Sequence, residues 1–438
     1  IDEAIKNGAK VIVYSNDIEK NEKAIYVKVK NVYAVLISVS KLFFNDPTNK
    51  IDSYVVSGCY GRSSVSTLIY RYLDTKFHAG YIGRFGIKYE NNNLSISTPT
   101  IDTIDYFRYL SKMEDYNVKA VTFEASSTSL AYHKLDFIKP TIFVYTNSFE
   151  ESPDYRQAGN DYFKNMRSYL YSLEDKTKVV LNRDDRAFDE LNDTINNYVT
   201  YGFDEESDYM IKDLTISKKG LVYTLRHEDK EYEIITRLLS KSNCYNLTAC
   251  IASLVESGYE IEDVIDYFKT CNYVDGVFEV IDDDYHIVID SAYTVDALKE
   301  VFDYTKTIKG KNRVISLLSI SSWSDDEAIK EICIEAEKIS DIIILTIDEL
   351  ESGDSLSLLQ KANSYIKDTK SIIIEDREFA IEEGINLLNL EDILLITGKG
   401  SEAYLVTPNG KIQYQTDRVI AKKYIDKRRE DDEISEIY

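Results

Sequence analysis

Tyr54-Val55-Val56-Ser57-Gly58-Cys59-Tyr60-Gly61-Arg62-Ser63-Ser64 is a short apolar run that enters a two-glycine turn, and a helix-periodic stretch, residues 64–73, leaves it. Glycines at a strand-to-helix turn let backbone N–H groups approach and cradle phosphate oxygens, helped by the helix N-terminus. A phosphate loop also wants a lysine for the phosphates and a Ser or Thr hydroxyl for Mg²⁺. Here Arg62 stands at the lysine position and Ser63 follows it. Arginine keeps the charge, but its planar fork does not reproduce a compact ammonium. Taken alone, the stretch fits a plain tight turn as well as a phosphate cradle.

The pattern on either side extends the same architecture. In the C-terminal third, apolar runs recur at 286–290, 314–319, 342–346, 371–374 and 393–397, with helix-period segments between them at 295–304, 326–339 and 379–388. Strands alternating with helices predict βαβ units and a mostly parallel sheet. A hairpin is expected where 404–407 and 412–414 flank Asn409-Gly410. Nearer the quoted stretch, further strands are predicted at 119–123, 141–145 and 179–181. Residues 211–237 alternate apolar and polar around Lys218-Lys219-Gly220, which predicts antiparallel strands. Two helices, 246–257 and 261–271, close that region, and 1–9 with 10–14 read as a helix and strand that open inside a domain.

Composition sets the limits. The 438 residues exceed one ordinary domain, and 44% hydrophobic with 29% charged residues is a globular balance. The 52 basic against 76 acidic residues leave a net charge of -24, which disfavours nucleic acid and anionic membranes as partners. Five cysteines without metal-ligand spacing point to reduced thiols in a cytoplasm. No run of eighteen apolar residues is present, so membrane insertion is not expected.

From the quoted loop onward, a series of short motifs resembles the Mur ligase family, in its tripeptide synthetase branch, and in the same order. The loop is similar to the family's Thr-Gly-Thr-Asn-Gly-Lys-Thr. Ser97-Thr98-Pro99 resembles its Thr-Thr-Pro, and Glu124-Ala125-Ser126-Ser127-Thr128-Ser129-Leu130 its Glu-Val-Ser-Ser-His-Gly-Leu. Thr146-Asn147 with Asp154-Tyr155, and Asn182-Arg183-Asp184-Asp185, continue the series, as do Asn243-Cys244-Tyr245-Asn246 and Val274-Asp275-Gly276-Val277-Phe278-Glu279. Asp290-Ser291-Ala292-Tyr293-Thr294-Val295-Asp296 and Gly398-Lys399-Gly400-Ser401-Glu402 complete it.

The resemblance implies an α/β chain of Mur ligase architecture in three parts. These are a remainder of the N-terminal UDP-sugar-binding domain at 1–49, a central P-loop-type ATP-binding domain at 50–276, and a C-terminal Rossmann-like amino-acid-binding domain at 277–438. It implies an ATP- and Mg²⁺-dependent amide ligase in which a substrate carboxylate is phosphorylated and an amino acid's amine then attacks. The implied partners are a UDP-N-acetylmuramoyl-peptide or analogue and an amino acid, in the cytoplasm. Carried over position by position, Gly58, Gly61, Arg62, Ser63, Ser64, Asn243, Asn246 and Asp290 are nucleotide-binding candidates. Ser97, Thr98, Ser126, Lys134, Gly398 and Glu402 are substrate-binding candidates; Arg62 and Glu124 are the catalytic ones, with Ser63 and Glu124 on Mg²⁺.

Departures from the family pattern open an alternative. Thr128, Ser152, Arg156 and Tyr293 stand where the family has histidines, Val277 where it has arginine, and Met166 where it has the lysine that is carbamylated. A thioether takes no carbamate and binds no hard cation. Asp348-Glu349-Leu350-Glu351 replaces the diaminopimelate-reading Asp-Asn-Pro-Arg, and Glu351 repels a carboxylate that arginine would clamp. The alternative is therefore a catalytically inactive, Mur-like scaffold for a nucleotide or a protein partner. Bland roles also stand beside the functional ones: Glu124 as a helix cap, Asn243 and Asn246 as caps, Cys59 as filler, His78, His227 and His286 as ordinary residues, and 430–433 as a solvated tail.

Overall fold

The computed structural model of the chain describes residues 1–96, 101–149, 161–282, 285–351 and 353–437, with side chains as far as Glu430. Two compact units divide it. One holds Ile1–Tyr145, Asp154–Val179 and Asp189–Asn197; the other holds Thr146–Pro153, Val180–Phe188 and Tyr198–Tyr438.

The first unit is organised on the strand Asp52–Ser57, which takes Ala120–Ala125 and Ile142–Tyr145 as parallel neighbours on its two sides. Ala79–Gly83 pairs parallel with the outer side of Ala120–Ala125, and Gly86–Tyr89 and Asn92–Leu94 add an antiparallel meander. A strand paired on both edges and covered on both faces must be apolar nearly throughout. That is why every residue of Asp52–Ser57 after Asp52 is buried. The helix that leaves this strand runs Arg62–Lys76 and buries Val65, Leu68, Ile69, Tyr72 and Leu73. At the N-terminus a parallel pair, Val11–Tyr14 with Ile25–Lys28, precedes the helix Val32–Phe43, whose start is capped by Asn31.

In the second unit, Tyr209–Ser217, Gly220–His227 and Lys230–Thr236 form the antiparallel meander that the alternation around Lys218-Lys219-Gly220 predicts. Two helices follow, Lys241–Val255 and Ile261–Phe268. The C-terminal sheet then orders its parallel strands as His286–Asp290, Ile393–Thr397, Val314–Ser321, Ile342–Glu349 and Lys370–Ile373. Successive side chains on a strand point to opposite faces. Val288, Leu318, Ile343 and Leu345 accordingly pack with residues of the helices Val295–Ile308, Asp326–Glu337 and Ser355–Asn363. Ile287, Ile289, Leu317, Ile344 and Leu394 join a separate cluster with Arg377–Asn386 and Asp417–Ile437. Helices on both faces of a parallel sheet are the doubly wound arrangement.

Several expected boundaries move. The helix expected at 246–257 begins at Lys241, because Ser240 caps it by accepting from the Asn243 N–H. The helix expected at 261–271 ends at Phe268. The acidic run 430–433, read as a solvated tail, continues the helix Asp417–Ile437. The helix Thr103–Asp115, which buries Tyr106, Phe107 and Leu110, is an addition to the sequence reading.

Candidate functional site

The loop after Asp52–Ser57 turns through two glycines in the left-handed region, Gly58 at φ 126° and Gly61 at φ 83°, backbone conformations that side-chain-bearing residues avoid. Gly61 is the residue before the helix, and Arg62 opens it. Arg62 Nη1 donates to the Gly58 carbonyl, so the guanidinium folds back along the loop. Ser63 Oγ donates to Glu124 Oε2 at 2.9 Å, although the two are 61 residues apart. Ser64 is buried in the same helical turn. Cys59 is buried with Sγ 3.6 Å from the Tyr162 hydroxyl.

Glu124 lies near the end of Ala120–Ala125 and is 6% exposed. The bland reading of it as a cap is corrected: Ser126 caps the helix Ser127–Ala131 by accepting from the Ser129 N–H at 3.1 Å. Glu124 instead accepts at Oε1 from the Tyr81 hydroxyl and from the Arg84 N–H at 3.0 Å. Burial first, and then the adjacent Glu124 charge, push the Tyr81 phenol well above its ordinary pKa, so it remains a donor. Parallel pairing of Ile82 with Phe123 puts Gly83 beside Glu124, where a β-carbon would meet Oε1 at 2.4 Å. Sequence reasoning missed Tyr81; the only signal was its place on a strand face two residues before that glycine.

Lys134 donates to Asp102 at 3.1 Å. Met166 is 1% exposed on the helix Tyr162–Tyr171. Ser97 and Thr98, and with them Ser152, Asp154, Tyr155 and Arg156, lie outside the described residues.

In the second unit the two asparagines are brought together. Asn243 Nδ2 donates to the Leu239 carbonyl at 2.8 Å, and Asn246 Nδ2 donates to Asn243 Oδ1 at 3.1 Å. Both lie inside the helix, so their reading as caps is corrected. Asp290 closes the strand His286–Asp290; its two carboxylate oxygens accept from the Phe278 N–H at 2.8 Å and the Ala292 N–H at 2.7 Å. The Gly398 N–H donates to the Asp290 carbonyl at 3.0 Å. Gly276, at φ 66°, packs so closely on this loop that a β-carbon would lie 2.4 Å from the Ser401 nitrogen. Asp290, Gly398 and Glu402 are thereby gathered at the carboxyl ends of neighbouring strands, where doubly wound sheets place ligands.

Around Glu402 the chain builds a charged rim that sequence reasoning only partly foresaw. Lys399, 1% exposed, bonds Glu402 Oε2 at 2.5 Å and Glu349 Oε1 at 3.4 Å, with its ammonium 4.5 Å from the Tyr404 ring centre. Trp323 Nε1 donates to Glu349 at 3.0 Å and its ring meets Tyr293 edge-on at 5.4 Å. Glu351 is exposed, and its N–H donates to Ser322 Oγ at 2.9 Å.

The oxygen chemistry in the first unit fits a magnesium nucleotide. Mg²⁺ is held by one or two protein oxygens together with substrate phosphates, and Ser63 Oγ beside Glu124 Oε2 is such a pair of hard donors. Among the described residues no group of three or more His, Cys, Asp or Glu is arranged to hold a metal alone. Among them, too, no helix is long and apolar enough to cross a membrane.

A parallel strand joined through a two-glycine loop to a helix, with a doubly wound sheet at the C-terminal side, defines a class of multidomain α/β proteins. The chain belongs to the Mur ligase family: residues 56–254 match the Mur ligase middle domain and residues 278–400 the Mur ligase, glutamate ligase domain. It is 27% identical to a UDP-N-acetylmuramoyl-L-alanyl-D-glutamate--2,6-diaminopimelate ligase from Bacillus cereus, over 98% of this chain and 89% of that protein. A UDP-N-acetylmuramyl-tripeptide synthetase 2 from Oceanobacillus iheyensis is 28% identical over 94% of this chain and 86% of its own length. Among solved structures, a diaminopimelate ligase of the same name shares the fold with TM-score 0.69 at 21% identity, covering 98% of this chain and 89% of that one. A MurF ligase from Thermotoga maritima in complex with ADP gives TM-score 0.64 at 15% identity, over 98% of this chain and 91% of that one.

Proposed function

We propose that the chain is an ATP-dependent amide ligase of cytoplasmic peptidoglycan synthesis, adding an amino acid to a UDP-N-acetylmuramoyl-peptide or an analogue. The observation that carries this reading is the Ser63 hydroxyl and Glu124 carboxylate, 2.9 Å apart beside a two-glycine loop. The domains are assigned as residues 1–49 for the remainder of a UDP-sugar-binding domain, 50–276 for nucleotide and 277–438 for the amino acid.

In this reading Gly58, Gly61 and Ser64 shape the phosphate cradle, and Arg62 turns from the Gly58 carbonyl to the phosphates. Ser63 and Glu124 hold Mg²⁺, which supplies charge neutralisation on phosphate oxygens when bound. Asn243 and Asn246 present amide edges to adenine, and Asp290 is a further contact to the nucleotide. Ser97, Thr98, Ser126 and Lys134 serve the sugar-nucleotide side. Gly398 and Glu402 hold the incoming amino acid, with the Glu402 carboxylate drawn to its ammonium. Glu349 and Glu351 disfavour a second carboxylate on that amino acid, which sets diaminopimelate aside as the preferred substrate.

A second reading, a scaffold that binds nucleotide without turnover, is favoured by one observation: buried Met166 stands at a position where the family carries its carbamylated lysine. Calorimetric titration of ATP with and without Mg²⁺, on the protein and on Arg62→Ala, tests the nucleotide reading. Micromolar binding that the substitution weakens supports it; no binding up to millimolar ATP sinks it.

A further inference from the structure

The ligase reading gives Glu124 a role but leaves open what aims it. Tyr81 is 1% exposed, and its hydroxyl oxygen accepts from the Phe85 N–H at 3.2 Å. A phenol has a single proton. With its oxygen already accepting, that proton is directed to Glu124 Oε1, which also receives the Arg84 N–H at 3.0 Å. Two donors therefore occupy Oε1, while Oε2 faces Ser63 Oγ at 2.9 Å. Gly83 completes the seat, since any β-carbon there would lie 2.4 Å from Oε1 and 2.6 Å from the carboxyl carbon.

We infer that Tyr81 is a positioning residue that locks the Glu124 carboxylate so that Oε2 alone is offered, together with Ser63 Oγ, to a divalent cation carried by a nucleotide. The inference rests on the proposed nucleotide reading and adds to it a denticity and a residue. Hydrogen bonds that neighbours donate to a ligating carboxylate orient it and set metal affinity, and their loss costs about 10- to 100-fold. With a cation held there, the Ser63 O–H would rotate its proton away from Oε2 and keep it, while the Tyr81 bond to Oε1 would remain.

The test is Mg²⁺-dependent ADP binding, measured by calorimetry on the full chain with Mg²⁺ varied and again in excess EDTA. Tyr81→Phe is expected to raise the Mg²⁺ concentration needed for half-maximal binding about tenfold or more, with binding in EDTA unchanged. Gly83→Ala, which leaves the phenol in place and displaces the carboxylate, is expected to give the same shift. Far-UV circular dichroism and thermal melts establish that both variants are folded. A Tyr81→Phe titration that overlays the wild type, or a loss of equal size in EDTA, overturns the inference alone. If the wild-type protein shows no Mg²⁺-dependent binding, the inference and the reading beneath it both fall.

Discussion

Lys399 is almost fully buried and holds Glu402 Oε2 at 2.5 Å. The same ammonium reaches Glu349 Oε1 at 3.4 Å, so one cation serves two carboxylates at the carboxyl end of the C-terminal sheet. An incoming amino acid that uses Glu402 for its ammonium competes with a lysine already in place. Glu402→Gln is therefore expected to raise KM for the amino acid about tenfold, the equivalent of about 1.4 kcal/mol, while ATP binding is unchanged. Lys399→Met removes the shared cation. Both carboxylates stay near a quarter exposed, so the expected loss of stability is about 1–3 kcal/mol, below the roughly 3–5 kcal/mol of a fully buried pair. Urea unfolding measures it.

A fully buried pair joins the first residues of the helices Arg377–Asn386 and Asp417–Ile437. Arg377 donates to Asp417 through Nε at 2.8 Å and Nη2 at 2.7 Å, and Asp417 also accepts from the Gly400 N–H at 2.9 Å. Burial alone would lower the Arg377 pKa, but the Asp417 charge outweighs it and keeps the guanidinium protonated. Asp417→Ala strands that charge in the core and is expected to cost about 3–5 kcal/mol. A variant that unfolds at the wild-type urea midpoint would contradict the assignment.

Acid should act in part through Glu337, which accepts the N–H groups of Lys367, Asp368 and Thr369 at 2.7, 2.6 and 3.0 Å. The Asp368 N–H, first, with its neighbours, holds the carboxyl below its ordinary 4.5, against a smaller opposing effect of burial. A depressed carboxylate stabilises the fold above its unfolded pKa, and that contribution disappears as pH falls through the lower folded value. Between pH 5 and acid, about pH 3, the wild type should lose more stability than Glu337→Gln. Equal losses in melts across that range would remove Glu337 from the account.

Thiol chemistry checks the packing. Cys59, Cys244, Cys250 and Cys333 are buried and Cys271 is partly exposed. Burial, with Glu337 nearby, pushes the Cys333 thiol up to about 12. An aromatic disulfide reagent at neutral pH should modify Cys271 first in the native protein and the remaining four only after urea is added. Rapid native labelling of Cys333 would show that the face packed by Asp326–Glu337 is open.

Much of this was legible along the chain because periodicity is local. The runs ending at Ser57, Asp290 and Thr397 are near-continuous apolar stretches, and strands covered on both faces read that way. What the one-dimensional reading missed is pairing across distance. Tyr81 meets Glu124 only because Ala79–Gly83 and Ala120–Ala125 lie in parallel register, which no spacing announces. The bland reading of Asn243 as a cap rested on asparagine's preference for helix starts, but Ser240 takes that position and both asparagines are buried within the helix. Lys399 read as one letter in a motif, and its burial between Glu349 and Glu402 depends on where the loop after Ile393–Thr397 comes to rest. Helix Thr103–Asp115 has a clear apolar face in Tyr106, Phe107 and Leu110, but polar neighbours interrupt it in sequence.

The central claim is turnover, and the most direct measurement is phosphate release from Mg·ATP in the presence of a UDP-N-acetylmuramoyl-dipeptide while single amino acids are added in turn. The account predicts release that depends on both the sugar nucleotide and one amino acid lacking a second carboxylate, and that Glu124→Gln abolishes. Absence of amino-acid-dependent release, in a protein that still binds Mg·ATP, would contradict the ligase claim and leave the non-catalytic scaffold.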